Sequence, residues 1–196
     1  MLSIARNFPK QELISILELI DELSICHTHK TAESLLTRTK DLLRADCAVC
    51  GMGSIDENGA IKIKTIVDSG YPGEWLNLYF KEGLYRYDPV VRYHMQFSEP
   101  ELWSNIRQDI DDEKARAVTD WADAYGLKHG ISSSVYIPAT GMFSLFCFAS
   151  AEDAFNERHK GVLNALTLHL NMAITESSGD DPSERKTISA TRPLIQ

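Results

Sequence analysis

Directly after Pro9, apolar residues recur at Leu13, Ile16, Leu17, Ile20 and Leu23. Three- and four-residue steps mark one face of a helix, and proline is at home where a helix opens. A second helical run, residues 31–44, places Leu35, Leu36, Leu42 and Leu43 on its apolar side. The pattern then changes to that of strands over 47–55 and 60–67, joined by Asp56-Glu57-Asn58-Gly59. Asn-Gly between two such runs signals a hairpin. A helix rich in aromatic residues is expected over 72–82, with Pro72 in its first turn, and a short one beginning at Pro89. The acidic run Asp109-Ile110-Asp111-Asp112-Glu113 suits a helix N-terminus. That helix runs through Trp121 to Tyr125 and stops at Gly126. Two strands follow, 131–137 and 142–150, around Pro138-Ala139-Thr140-Gly141. The second is apolar on both sides, Phe146 and Phe148 against Phe143 and Leu145, as expected of a strand covered on both faces. Helices on both sides of a mainly antiparallel sheet follow from this order. A long helix, 151–176, closes the unit with Phe155, Val162, Leu163, Leu166 and Leu170.

From Ser177 the chain turns small and polar (Ser-Ser-Gly-Asp-Asp-Pro-Ser-Glu-Arg-Lys), the composition of a flexible linker. With 196 residues there is enough chain for one substantial core and too little for two average domains. A net charge of −8 and scattered Lys and Arg argue against a nucleic-acid surface. No apolar stretch approaches the roughly 20 residues needed to cross a bilayer, and the N-terminus has no secretory apolar segment. The expected location is the cytoplasm. Cys47 and Cys50 form a C-x-x-C, a spacing used for zinc and redox chemistry. On a strand, however, positions three apart face opposite sides, and no second pair follows, so buried free thiols are the favoured reading. Cys26, His27 and His29 lie close together without a carboxylate partner and with the wrong spacing for one helical face. No metal site is expected.

The richest chemistry lies between Gly70 and Trp103. On a helix, Tyr71, Trp75 and Tyr79 would share one face at i, i+4 and i+8. Asp88 stands before Pro89, and Trp103 lies fifteen residues further on. Large rings with polar tips and one carboxylate suit a pocket for a small ligand that is both apolar and amide-bearing. Two plainer readings stand beside this one: an aromatic stripe packed into the core, and an aspartate that only starts a turn or caps a helix. Ser132-Ser133-Ser134 lack the Gly-x-Ser-x-Gly setting of a nucleophile, although one of the three could touch a ligand. Gly51 and Gly53 are too weak a signal for a phosphate loop.

These residues resemble the autoinducer-binding domain of LuxR-type quorum-sensing receptors, over roughly 10–176. The similarity is carried by Tyr71-x-x-x-Trp75-x-x-x-Tyr79, Asp88-Pro89-Val90, Trp103 after Pro100, and Tyr125-Gly126-Leu127-Lys128-His129-Gly130-Ile131. The run Gly141-Met-Phe-Ser-Leu-Phe-Cys-Phe-Ala-Ser150 looks most like the TraR branch. The resemblance implies an α/β fold: a three-layer α/β/α sandwich, PAS/GAF-like, around a mainly antiparallel sheet of about five strands. It implies a receptor, not an enzyme, that binds an N-acyl homoserine lactone and forms a homodimer, largely through the last helix. Matching family positions assign Asp88 to the ligand amide N–H, Trp75 to the lactone carbonyl and Tyr71 to the amide carbonyl. Tyr79 and Trp103 then wall the lactone and proximal chain. Cys147 occupies a position that carries a hydroxyl in some relatives. A thiol bonds weakly, which argues against strong recognition of a 3-oxo group. The expected organisation is an arm over 1–8, the binding domain over 9–176 and a tail over 177–196, without the family's helix-turn-helix. Two alternatives stay open. One is a short regulator that inhibits a full-length relative through mixed dimers. The other is a lactone hydrolase using Asp88 or His94, for which the sequence offers no histidine-rich ligand set.

Overall fold

The computed structural model describes residues 8–25, 28–56, 61–108 and 110–177. Helix α1 (Lys10–Ser24) follows Pro9 as expected, and Ile16, Leu19 and Leu23 form its buried stripe. Leu17, placed in that stripe by the spacing argument, is instead 63% exposed. It lies on the same i, i+3, i+4 ladder as the others but on the ladder's outer edge, a distinction set by the helix's rotation and not by spacing. Helix α2 (His29–Leu42) begins two residues early, because the Thr28 hydroxyl accepts the Thr31 N–H and caps it. Strands β1 (Cys47–Ile55) and β2 (Ile61–Ser69) pair antiparallel as the hairpin signal requires; the Asn58-Gly59 turn itself lies outside the described residues. The Cys26–His27 pair and the tail over 178–196 also lie outside them.

Helix α3 (Gly73–Lys81) is the aromatic helix, and α4 (Pro89–His94) starts at Pro89. Between them lies a single 3-10 turn, Leu84–Arg86. A two-residue strand β3 (Glu101–Leu102) and a one-turn helix α5 (Trp103–Ile106), neither expected, carry the chain to α6 (Glu113–Ala124). Asp112 caps α6, and Gly126, at φ 82°, turns the chain away just after it. Strands β4 (His129–Ile137) and β5 (Met142–Ser150) form the second hairpin. The last helix, α7 (Glu157–Ser177), begins six residues later than its apolar spacing suggested. The Asp46 carboxylate accepts the Ser150 hydroxyl and the Ala151 N–H, and Ser150 Oγ accepts the Asp153 N–H, so this stretch is held as a loop.

The sheet order is β2-β1-β5-β4-β3, all antiparallel, the three-layer sandwich anticipated from the sequence. On one face Ala48, Cys50, Met52, Val67, Ile131, Phe146 and Phe148 pack against α1, α2 and α7 in the main core. On the other, Cys47, Val49, Leu145, Cys147 and Ala149 meet α3 to α6 and the turn before α4. Cys47 and Cys50 therefore belong to different cores, and Cys47, Cys50 and Cys147 are all free thiols. Burial pushes the Cys47 thiol up to about 12 and raises Cys50 further still. Both stay protonated at neutral pH, and on opposite faces of the sheet they do not form a pair. Among the described residues no cluster of His, Cys, Asp and Glu could hold a metal, and no helix is long and apolar enough to cross a membrane.

Candidate ligand-binding site

The second face of the sheet does not close on itself. Between it and helices α3 to α6 lies a cavity of about 110 Å³, many times the ~10–15 Å³ that holds a single water. All six residues singled out from the sequence line it: Tyr71, Trp75, Tyr79, Asp88, Trp103 and Cys147. The helical alignment that first drew attention to three of them is only partly right. Tyr71 precedes α3, just after Gly70 (φ 75°), which bridges back to Ala48. It reaches the cavity from the end of β2, while Trp75 and Tyr79 reach it from the helix. Their rings are 5.4 Å apart, and Tyr125 packs 5.6 Å from Trp75.

Asp88 combines the plain reading with the functional one. One carboxylate oxygen accepts the Val90 N–H at 2.8 Å and caps α4, with Pro89 at its first position. The other accepts the Tyr79 hydroxyl at 2.7 Å, so Tyr79 orients the carboxylate as well as walling the cavity. Burial raises the Asp88 pKa above the ordinary carboxylate range; the Tyr79 hydroxyl, the Val90 N–H and the nearby Arg107 cation oppose it. Burial likewise raises Tyr71 and Tyr79, keeping both phenols neutral and able to donate. A carboxylate has about four lone-pair positions, so Asp88 retains capacity for one more donor. No hydrogen bond joins the Tyr71 phenol or the Trp75 indole N–H to another described residue, and neither atom is sealed away from the cavity.

Trp103 is held differently. Its indole N–H donates to Ser132 Oγ at 3.1 Å, and Ser132 lies 2.9 Å from His94 Nε2. His94 Nδ1 faces the Phe97 carbonyl at 2.9 Å; a carbonyl only accepts, so Nδ1 carries the proton and Nε2 accepts from Ser132. Burial lowers the His94 pKa to about 4, which keeps the ring neutral. Trp103 thus offers the cavity its ring and not its N–H. The indole lies so close to Gly130 that a Cβ there would come within 2.1 Å of it. None of the three serines lines the cavity: Ser132 serves Trp103 and His94, Ser133 bonds Thr167 of α7, and Ser134 donates to the carbonyls of His94 and Phe97.

Arg107 lines the cavity and was not anticipated. Its guanidinium stacks over Trp103 at 4.8 Å, pairs with Asp123 at 3.0 Å and donates to the Lys128 carbonyl at 3.1 Å. The available signal was its position four residues after Trp103, which on a helix puts both on one face. Val118, Thr119 and Ala122 of α6 and Leu127 complete the roof.

Residues 30–174, three-quarters of the chain, match the model of the autoinducer binding domain. The chain belongs to that family. Among relatives, the transcriptional activator protein LuxR of Aliivibrio fischeri is 24% identical over 135 residues, 69% of this chain and 53% of LuxR. The chain therefore spans about half the length of the curated relatives it matches. The fold is shared with CepR2 of Burkholderia cenocepacia, an N-acylhomoserine-lactone-dependent LuxR-family transcription factor (TM-score 0.66, 20% identity, 85% of this chain and 95% of that one). It is shared too with SdiA of Escherichia coli (TM-score 0.67, 15% identity, 84% and 68%). The autoinducer-binding domain of LuxR-type regulators is a signal-receiving module.

Proposed function

We propose that this autoinducer-binding domain takes an N-acyl homoserine lactone into the cavity beneath α3 and α6. The observation that carries the reading is the set of polar groups with bonding capacity left around a mainly apolar space, which Arg107 also lines. Two neutral donors, Tyr71 and Trp75, stand without acceptors among the described residues, and one buried carboxylate has an open lone pair. An acyl homoserine lactone presents the complement: two carbonyls and one N–H. In this reading Asp88 accepts the amide N–H, Trp75 donates to the lactone carbonyl and Tyr71 to the amide carbonyl. Tyr79 fixes the carboxylate, Trp103 walls the head group, and Cys147 lies on the sheet floor beside it. Each polar group left unpaired in such a site costs ~1–3 kcal/mol, so the match selects this head group over an apolar one.

A ligand that binds only the native state stabilises it by about 2.7 kcal/mol at a hundredfold excess over Kd. For a chain of this size that raises Tm by roughly 5–10 °C. Thermal denaturation with and without an acyl homoserine lactone measures this shift. Asp88→Ala and Trp75→Phe remove most of it; if both respond like the wild type, the head-group assignment is wrong.

The same reading includes a homodimer. Leu168 and Met172 stand one turn apart on α7, 62% and 54% exposed, on the helix that packs against α1. Charging both, as Leu168→Glu with Met172→Glu, shifts the sedimentation coefficient to that of a monomer. An unchanged value removes α7 from the interface.

A further inference from the structure

Gly51 sits in the interior of β1, paired on one side with Ile66 of β2 and on the other with Leu145 of β5. Nothing in the fold requires a glycine there. Its backbone is outside the left-handed region, and a Cβ added to it would meet no atom within 4 Å. Its neighbour Gly53 differs, since a Cβ there would lie 2.3 Å from the Lys62 carbonyl oxygen beside the β-bulge. A glycine inside a strand weakens it and packs nothing, and where the chain does not need one, close approach of a ligand is the remaining reason. The open space over Gly51 is the cavity itself: Gly51, Ile66 and Leu145 all line it. Two bulky apolar side chains thus flank a bare backbone and leave a furrow in the sheet floor.

We infer that Gly51 sets the acyl-chain length this cavity accepts, the furrow holding the distal methylenes of the chain. The inference rests on the acyl-lactone reading and extends it. Leu145 is two residues from Cys147 along β5, and Gly51 is one strand across, so Gly51 lies about 8 Å from Cys147 at the polar end. With C–C bonds of ~1.5 Å, a butanoyl tail ends short of the furrow, and a chain of about eight carbons or more lies across it.

The test is isothermal titration of butanoyl, octanoyl and dodecanoyl homoserine lactone into the wild type, Gly51→Val and Gly51→Phe, with near-ultraviolet circular dichroism as the check on folding. The wild type binds a longer chain more tightly than butanoyl. Gly51→Phe weakens the longer chains at least about tenfold, the loss of burying some two methylenes, and leaves butanoyl binding within about threefold. Gly51→Val falls between, and decides by the same ratio if the phenylalanine variant does not fold. A folded variant that keeps the wild-type ratio between chain lengths overturns the role of Gly51 and leaves the acyl-lactone reading standing. A wild type that binds none of the three overturns that reading itself.

Discussion

Ser132 holds two hydrogen bonds at a fully buried position, accepting from Trp103 and donating to His94. The chain of donors ends on a backbone carbonyl, so every proton in it has one place to be. Replacing Ser132 by alanine leaves the indole N–H and the imidazole nitrogen without partners. The expected loss is ~1–3 kcal/mol in a denaturant titration, with a shift in tryptophan emission as Trp103 moves. At this scale the sequence was informative about residue type and poor about partner. Large polar-tipped rings and one aspartate before proline marked the cavity. Which donor goes where depended on distances that strand and helix packing alone creates: Tyr79 bonds Asp88 nine residues away, but Trp103 bonds Ser132 across 29 residues.

Among the elements, α7 shows how a start is decided. Its apolar spacing extends back toward residue 151, yet the helix begins at Glu157. The Asn156 side chain accepts the Arg158 N–H, and His159 Nδ1 accepts the Asn156 N–H in return, a reciprocal cap with histidine in the acceptor's place. Arg158 then pairs with the buried Glu12 of α1 and fixes the two helices together. Asn156→Ala is expected to cost ~0.5–2 kcal/mol in thermal denaturation without changing which residues line the cavity. The strands were far easier to read than the helix ends: β1 and β5 match their expected bounds, since alternation and hairpin turns fix both limits. The short α5 and β3 carried no periodic signal, being too brief to repeat one.

The whole molecule carries a pH dependence through His94. Its pKa falls from the usual 6.5 to about 4 on folding, because the packed interior disfavours the imidazolium. Between those values the unfolded chain binds more protons than the native one, so stability is full above pH 6.5 and declines as pH falls toward 4. The full difference is roughly 3 kcal/mol. Unfolding free energies measured from pH 7 to 5 should slope downward in the wild type and more gently in His94→Gln. Equal slopes would show that the decline comes from other groups.

Periodicity, turn residues and the ring-and-carboxylate set determined the sandwich, its strand order's two hairpins and five of the cavity residues, while Cys147 came from the family resemblance. These are local signals: each depends on neighbours within a turn or a strand. Only the tertiary structure decided that one face of the sheet fills with phenylalanine and leucine while the other stays open. It also decided that Arg107 joins the wall, that the serines turn away from it, and that Gly51 leaves a furrow. Those outcomes depend on which side chains meet across the sheet, and contacts between distant residues are written in packing, not in spacing.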